Sequence, residues 1–130
     1  MDKQQLRQYR RLIREIDRRE NEKRRILDRY LSPPQLTGMP ASHGSPDRIA
    51  TVVAQRDRYQ RIIDSLLDEL NALREWIEAT IASLPSADRE LIRMRYIDGM
   101  RWEEISVELG YSYRHTHRQH GRILEKIKER

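Results

Sequence analysis

Apolar residues in the first thirty positions step by three and four: Leu6, Tyr9, Ile13 and Ile16, then Leu27 and Tyr30. Glu20 and Lys23 hold the same series between them, so the stripe is polar at its middle. Steps of three and four trace one face of a helix. No proline or glycine interrupts residues 2–31, and Arg, Glu, Gln, Leu and Ile dominate them, so the pattern predicts an N-terminal helix over 1–31. The periodicity stops at residues 32–46, SPPQLTGMPASHGSP, which hold four of the five prolines, two of the five glycines and neither acid nor base. Proline removes a backbone donor and fixes φ, so this is a linker; Leu36 and Met39 are its candidates for packing on a neighbouring helix.

A second helix is predicted over 47–83. Ser45 can cap it, Pro46 suits the first helical position, and Asp47 favours the positive end of the helix dipole. Its heptad series is Ile49, Val52, Arg56, Tyr59, Ile63, Leu66, Leu70, Leu73, Ile77 and Thr80, with alternating gaps of three and four. That is a coiled-coil seam, on a helix about 50 Å long at 1.5 Å per residue. Such a helix needs a partner. Folding the first helix back through the linker as an antiparallel hairpin covers part of the seam, while Ile62, Leu67, Trp76 and Ile81 widen the stripe. The surplus apolar surface predicts a homo-oligomer, a dimer through the hairpin.

The chain changes character at Leu84-Pro85, because a residue before proline avoids the α region. Residues 84–130 read as a separate domain of three helices. The first covers 85–98 with Leu91, Ile92, Met94 and Tyr96, and Asp98-Gly99 ends it. The second is WEEISVEL, residues 102–109, with Gly110 where a left-handed C-cap is wanted. The third is capped by Ser112 and runs to about Lys128, with Thr116, Ile123, Leu124 and Ile127 inward. A short helix, a tight turn and a longer helix form a helix-turn-helix, whose second helix enters the DNA major groove. Small Ser106 suits the close helix crossing.

Charge sharpens this picture. The chain carries 26 Lys and Arg against 21 Asp and Glu, a net charge of +5, and Arg is the side chain that forks onto phosphate and guanine. Tyr111 to Leu124 contains Arg114, Arg118, Arg122 and three histidines but no acid. An acid-free stretch of fourteen residues in a chain with 21 acids suggests a face turned to phosphates and base edges. Arg114 and Arg118 are four residues apart, with His115, His117 and Gln119 nearby; arginine suits guanine and glutamine suits adenine. Residues 1–31 are also basic, with eleven bases to six acids, so the first helix is a secondary candidate for phosphate contact.

Other chemistry finds no support. Cysteine is absent, which excludes disulfides, thiolate catalysis and cysteine-ligated zinc. His117 and His120 are one turn apart, but a structural zinc site wants four ligands, so no metal and no cofactor is expected. No nucleophile-base pair, carboxylate cluster or glycine-rich phosphate loop is present, so no enzyme is expected. No apolar run nears the roughly 18 residues needed to cross a bilayer, and a cytoplasmic, membrane-free protein is the expectation.

The C-terminal segment resembles region 4 of bacterial sigma-70 factors, the four-helix module that reads the −35 promoter element. The matching residues are Leu84-Pro85, Arg89-Glu90, Met94-Arg95-Tyr96, Gly99, Glu103-Glu104-Ile105, Leu109-Gly110, Ser112, Ile123-Leu124 and Lys126-Ile127. It is closest in flavour to small phage-encoded regulators of the ArpU and RinA type, which the long helical hairpin and its LTGMP linker also resemble. The resemblance implies an all-α fold, with Tyr113, Arg114, His117 and Arg118 facing the major groove and Arg122 at the DNA backbone. Three departures stand out. Arg101 replaces the usual Ser or Thr cap, a cost of about 1 kcal/mol. Thr116 and Gln119 occupy positions expected to be apolar, which predicts a rotated or less tightly held recognition helix. His117 replaces a position that is often basic.

The expected function is therefore a sequence-specific, phage- or prophage-encoded transcriptional regulator that binds double-stranded DNA through helix 112–128. The alternatives are a DNA-packaging protein of the small-terminase kind and an adaptor docking on RNA polymerase.

Overall fold

A computed structural model describes residues 3–31 and 46–128. Five α-helices account for nearly all of them, and no strand occurs among the described residues. Helix α1 spans Lys3–Leu31 and α2 spans Pro46–Ile81, with Pro46 opening the helix and Asp47 in its first turn. Ser45, Leu36 and Met39 lie outside the described residues.

The described chain forms two compact units. One takes its residues from Arg14–Asp68, the other from Met1–Ile13 and Glu69–Arg130. In the first of these, α1 and α2 pair antiparallel. Ile16 and Ile63 are buried there, and Lys23 Nζ donates to Gln60 Oε1 at 2.5 Å. In the polar middle of the α1 stripe, Lys23 is thus satisfied by a polar partner and Glu20 is exposed, so neither is left against apolar surface. A shallow pocket lined by Arg19, Ile26, Gln55, Arg58, Tyr59 and Ile62 runs beside it.

The other unit is built on α3 (Ser86–Ile92), α4 (Trp102–Leu109) and α5 (Tyr113–Lys128). The sequence predicts one helix over 85–98. Instead, α3 passes into a π-helical turn, Arg93–Ile97, closed by Asp98 N–H donating to Arg93 O at 2.8 Å. Gly99 follows in the left-handed region at φ 71°, which an L side chain adopts only with strain.

The core of this unit does not begin at Leu84. Leu6 and Tyr9 of α1 and Ile77 and Ile81 of α2 are buried with Leu84, Leu91, Ile92, Tyr96, Ile105, Ile123 and Ile127. Residues read as a hairpin seam therefore wall the three-helix domain. The physical reason is area: α3, α4 and α5 are short and expose more apolar surface than they can cover among themselves, and burying it drives the packing. Polar ties fix the same helices. Arg93 donates to both carboxylate oxygens of Glu78 at 2.7 and 3.0 Å and to Glu90 at 3.0 Å, which holds the Glu78 carboxyl below its ordinary range. Arg10 Nη1 donates to the Ile97 carbonyl at 3.0 Å.

Candidate nucleic-acid interface

Helix α4 ends because Gly110 takes φ 69°, ψ 26°, a conformation that glycine enters without a Cβ penalty. Two backbone bonds close the turn: Gly110 N–H to Val107 O at 3.2 Å and Tyr111 N–H to Ser106 O at 3.0 Å. Ser112 then caps α5, its Oγ accepting from His115 N–H at 3.1 Å. The three-residue turn and the cap fix where α5 starts and its angle to α4. As the sequence implies, Arg101 at the start of α4 makes no side-chain cap.

At the crossing of the two helices the contact is polar. Ser106 Oγ and Thr116 Oγ1 lie 2.9 Å apart, and Thr116 is fully buried. Each hydroxyl also reaches back one turn, Ser106 to Trp102 O at 2.9 Å and Thr116 to Ser112 O at 3.0 Å. Gln119 donates from Nε2 to Oδ1 of Asp88, a buried carboxylate at the start of α3, at 2.9 Å. The two positions where sequence suggests loosened packing are therefore held by polar partners, and α5 sits firmly against α3 and α4.

With Thr116, His120, Ile123 and Ile127 inward, the opposite face of α5 presents Arg114, Arg118 and Arg122, all exposed. None of these three arginines enters an ion pair among the described residues. Tyr113, the first residue of α5, is 52% exposed and its ring packs on His117. The three arginines share one solvent face; the other candidates do not join it equally. His115 is half-buried with its ring edge-on to Tyr111 at 4.6 Å. His117 is half-buried between Trp102 and Tyr113, at ring distances of 4.6 and 4.3 Å, and its Nε2 is buried without a hydrogen-bond partner. The Gln119 amide is already in use at Asp88.

His120 lies behind this face. Its Nε2 is 2.5 Å from the Tyr96 hydroxyl, its ring meets Trp102 edge-on at 4.6 Å, and burial together with the nearby charge of Lys3 pulls its pKa down to about 4. At neutral pH it is an uncharged packing group. Burial likewise pushes the Tyr96 phenol up. Trp102 gathers this cluster, with the Arg95 guanidinium 4.6 Å above its ring, a cation–π contact. Sequence spacing gives no hint of the Tyr96–His120 or Asp88–Gln119 pairs, because each joins elements distant along the chain. No group of three or more His, Asp or Glu able to hold a metal ion occurs among the described residues.

The arrangement is a helix, free of acids from Tyr113 to Leu124, that displays three forked cations on one face and an exposed tyrosine at its start. Guanidinium groups of this kind make paired hydrogen bonds to phosphate oxygens or to guanine O6 and N7.

Residues 74–127 match the family model for sigma-70, region 4. The matched segment takes in the end of α2, all of α3 and α4, and α5 as far as Ile127. It is a sigma-70 region 4-like domain, a helix-turn-helix of the DNA-binding kind. No curated protein and no solved structure matches the chain. No described helix is long and apolar enough to cross a membrane.

Proposed function

We propose that this protein is a sequence-specific, non-catalytic transcriptional regulator that lays α5 in the major groove of double-stranded DNA. The observation that carries the reading is the outward face of α5: Arg114, Arg118 and Arg122 exposed with no ion pair among the described residues, on a helix whose other side is locked to α3 and α4. In this reading Arg114 and Arg118 reach base edges, and Arg122 and Tyr113 contact the flanking backbone. Its place is the cytoplasm, where bacterial or phage DNA is transcribed, and a phage or prophage origin accords with the resemblance to small phage regulators. Apolar side chains left partly exposed support a dimer: Ile49, Val53 and Leu67 in one unit and Trp76 in the other, each at 38–39%.

Selecting bound fragments from the source genome at low and moderate salt tests this. A short motif upstream of genes that stays enriched at the higher salt is the expected result. Uniform binding lost with salt would leave only phosphate contact, and with a ring of many subunits in solution it would move the reading to DNA packaging.

A second reading, docking on RNA polymerase, is favoured by one observation. Val107 of α4 is 83% exposed, and Glu103, Glu104 and Glu108, also exposed, surround it on the same helix face. A bare apolar residue ringed by acids suits a basic protein surface. The Val107→Glu variant should lose co-purification with polymerase while keeping DNA affinity.

A further inference from the structure

We propose that the stripe formed by Lys3, Arg7 and Arg11 on α1 is a second phosphate-binding surface, gripping DNA beyond the reach of α5. The inference rests on the reading of α5 as the DNA-binding helix.

From Lys3 to Arg14 the chain has five bases, Lys3, Arg7, Arg10, Arg11 and Arg14, and no acid. Their steps of four, three, one and three place them on one side of the helix. Leu6, Tyr9 and Leu12, all buried, occupy the other side. This end of α1 is thus amphipathic in an uncommon sense: an apolar face packed into the core and a flank of pure positive charge. Lys3, Arg7 and Arg11 are exposed and enter no ion pair among the described residues. Like charges one turn apart weaken a helix, and Lys3, Arg7 and Arg11 have no ion pair among the described residues to offset it. Later in the same helix the chain does compensate, with Glu15 paired to Arg18 and Arg19, and Glu22 to Arg19. The uncompensated stripe points to an anion outside the chain.

Its location says which anion. Arg10 Nη1 is anchored to the Ile97 carbonyl, so the stripe runs beside the turn into α4. Lys3 and Arg7 sit close enough to His120 of α5 for their charges to act on it, as Arg7 does on Tyr96. Arg95, above Trp102, lies at the same corner. The stripe thus belongs to the same compact unit as the helix-turn-helix, and in this proposal a duplex held by α5 extends past that helix onto it. It also lies outside the residues matched to the sigma-70 region 4 family.

The test is a salt titration of binding by the full chain carrying Lys3→Gln, Arg7→Gln and Arg11→Gln, on a DNA fragment that the unaltered protein selects and on a scrambled one. Affinity should fall by the same factor on both. The slope of log K against log salt should flatten by about 0.9 per lost contact, up to nearly three for all three. The charge-retaining Arg7→Lys, Arg11→Lys variant should keep the original slope, and circular dichroism should show both variants folded. An unchanged slope and affinity in the triple variant, while Arg118→Ala weakens binding, would overturn the stripe alone. Failure of the unaltered protein to bind any DNA would overturn the reading of α5 and the stripe together.

Discussion

Ser106 and Thr116 meet hydroxyl to hydroxyl, 2.9 Å apart, at the point where α4 and α5 cross. Two protons serve three contacts, since each hydroxyl also reaches a carbonyl one turn back. Small side chains permit the close approach, and the shared hydrogen bond fixes the rotation of α5 about its own axis. That rotation decides which residues face outward. Thr116→Val keeps the shape but removes the hydroxyl, at a cost of about 1 kcal/mol. Ser106→Ala with Thr116→Val should cost less than the sum of the single variants, because the pair is one interaction. Urea unfolding of the four proteins measures this directly.

Stability should depend on pH through His120. Its pKa in the folded state, about 4, lies below the ordinary 6.5, so the unfolded chain binds the proton more tightly. The contribution is complete above pH 6.5, declines as pH falls, and is spent near pH 4, for a total on the order of 3 kcal/mol. Denaturant midpoints between pH 7 and pH 4.5 should therefore fall more steeply for the natural chain than for a His120→Gln variant.

The N-terminal helix should act as part of the DNA-binding domain. Leu6 is fully buried in the core shared with Ile105 and Ile123. Leu6→Ala should cost about 2–5 kcal/mol. The loss should appear in the unfolding of the helix-turn-helix itself, followed by the fluorescence of Trp102 in a Trp76→Tyr background.

Two left-handed glycines should respond differently to alanine. At Gly110, φ 69°, an added Cβ meets nothing within 4 Å; at Gly99, φ 71°, it would lie 2.5 Å from the Arg10 guanidinium. Both substitutions carry the left-handed penalty of about 1–2 kcal/mol, and Gly99→Ala carries in addition the displacement of Arg10 from Ile97. In an Arg10→Ala background the two substitutions should cost the same, as thermal unfolding of the paired variants would show.

Much of the helix-turn-helix was legible in the sequence because its signals are local. Gly110, Ser112 and the bounds of α4 each follow from the conformational preference of one residue or a short period. The outward arginines were legible for the same reason, since a stretch without acids is visible in one dimension. The polar pairings were not. Gln119 reads as a base-contacting amide until Asp88, thirty-one positions away, is brought against it. Thr116 reads as a weak core residue until Ser106 supplies its partner. Likewise, Leu6 and Tyr9 obey the same three-four period whether they face a hairpin partner or a three-helix domain, so periodicity could not place them in the core of the latter. The π turn at Arg93–Ile97 left no sign in the apolar pattern, which a continuous helix fits equally well.

The central claim is that α5 reads DNA with its arginine face, and Arg114→Ala tests it most directly. The measurement is the ratio of affinities for a selected fragment and for the same fragment with single base pairs changed, taken at two salt concentrations. The account predicts that the variant loses about 1–3 kcal/mol of discrimination at one position of the site and keeps most of its salt dependence. An equal loss on every sequence, with discrimination intact, would contradict it and make Arg114 a phosphate contact.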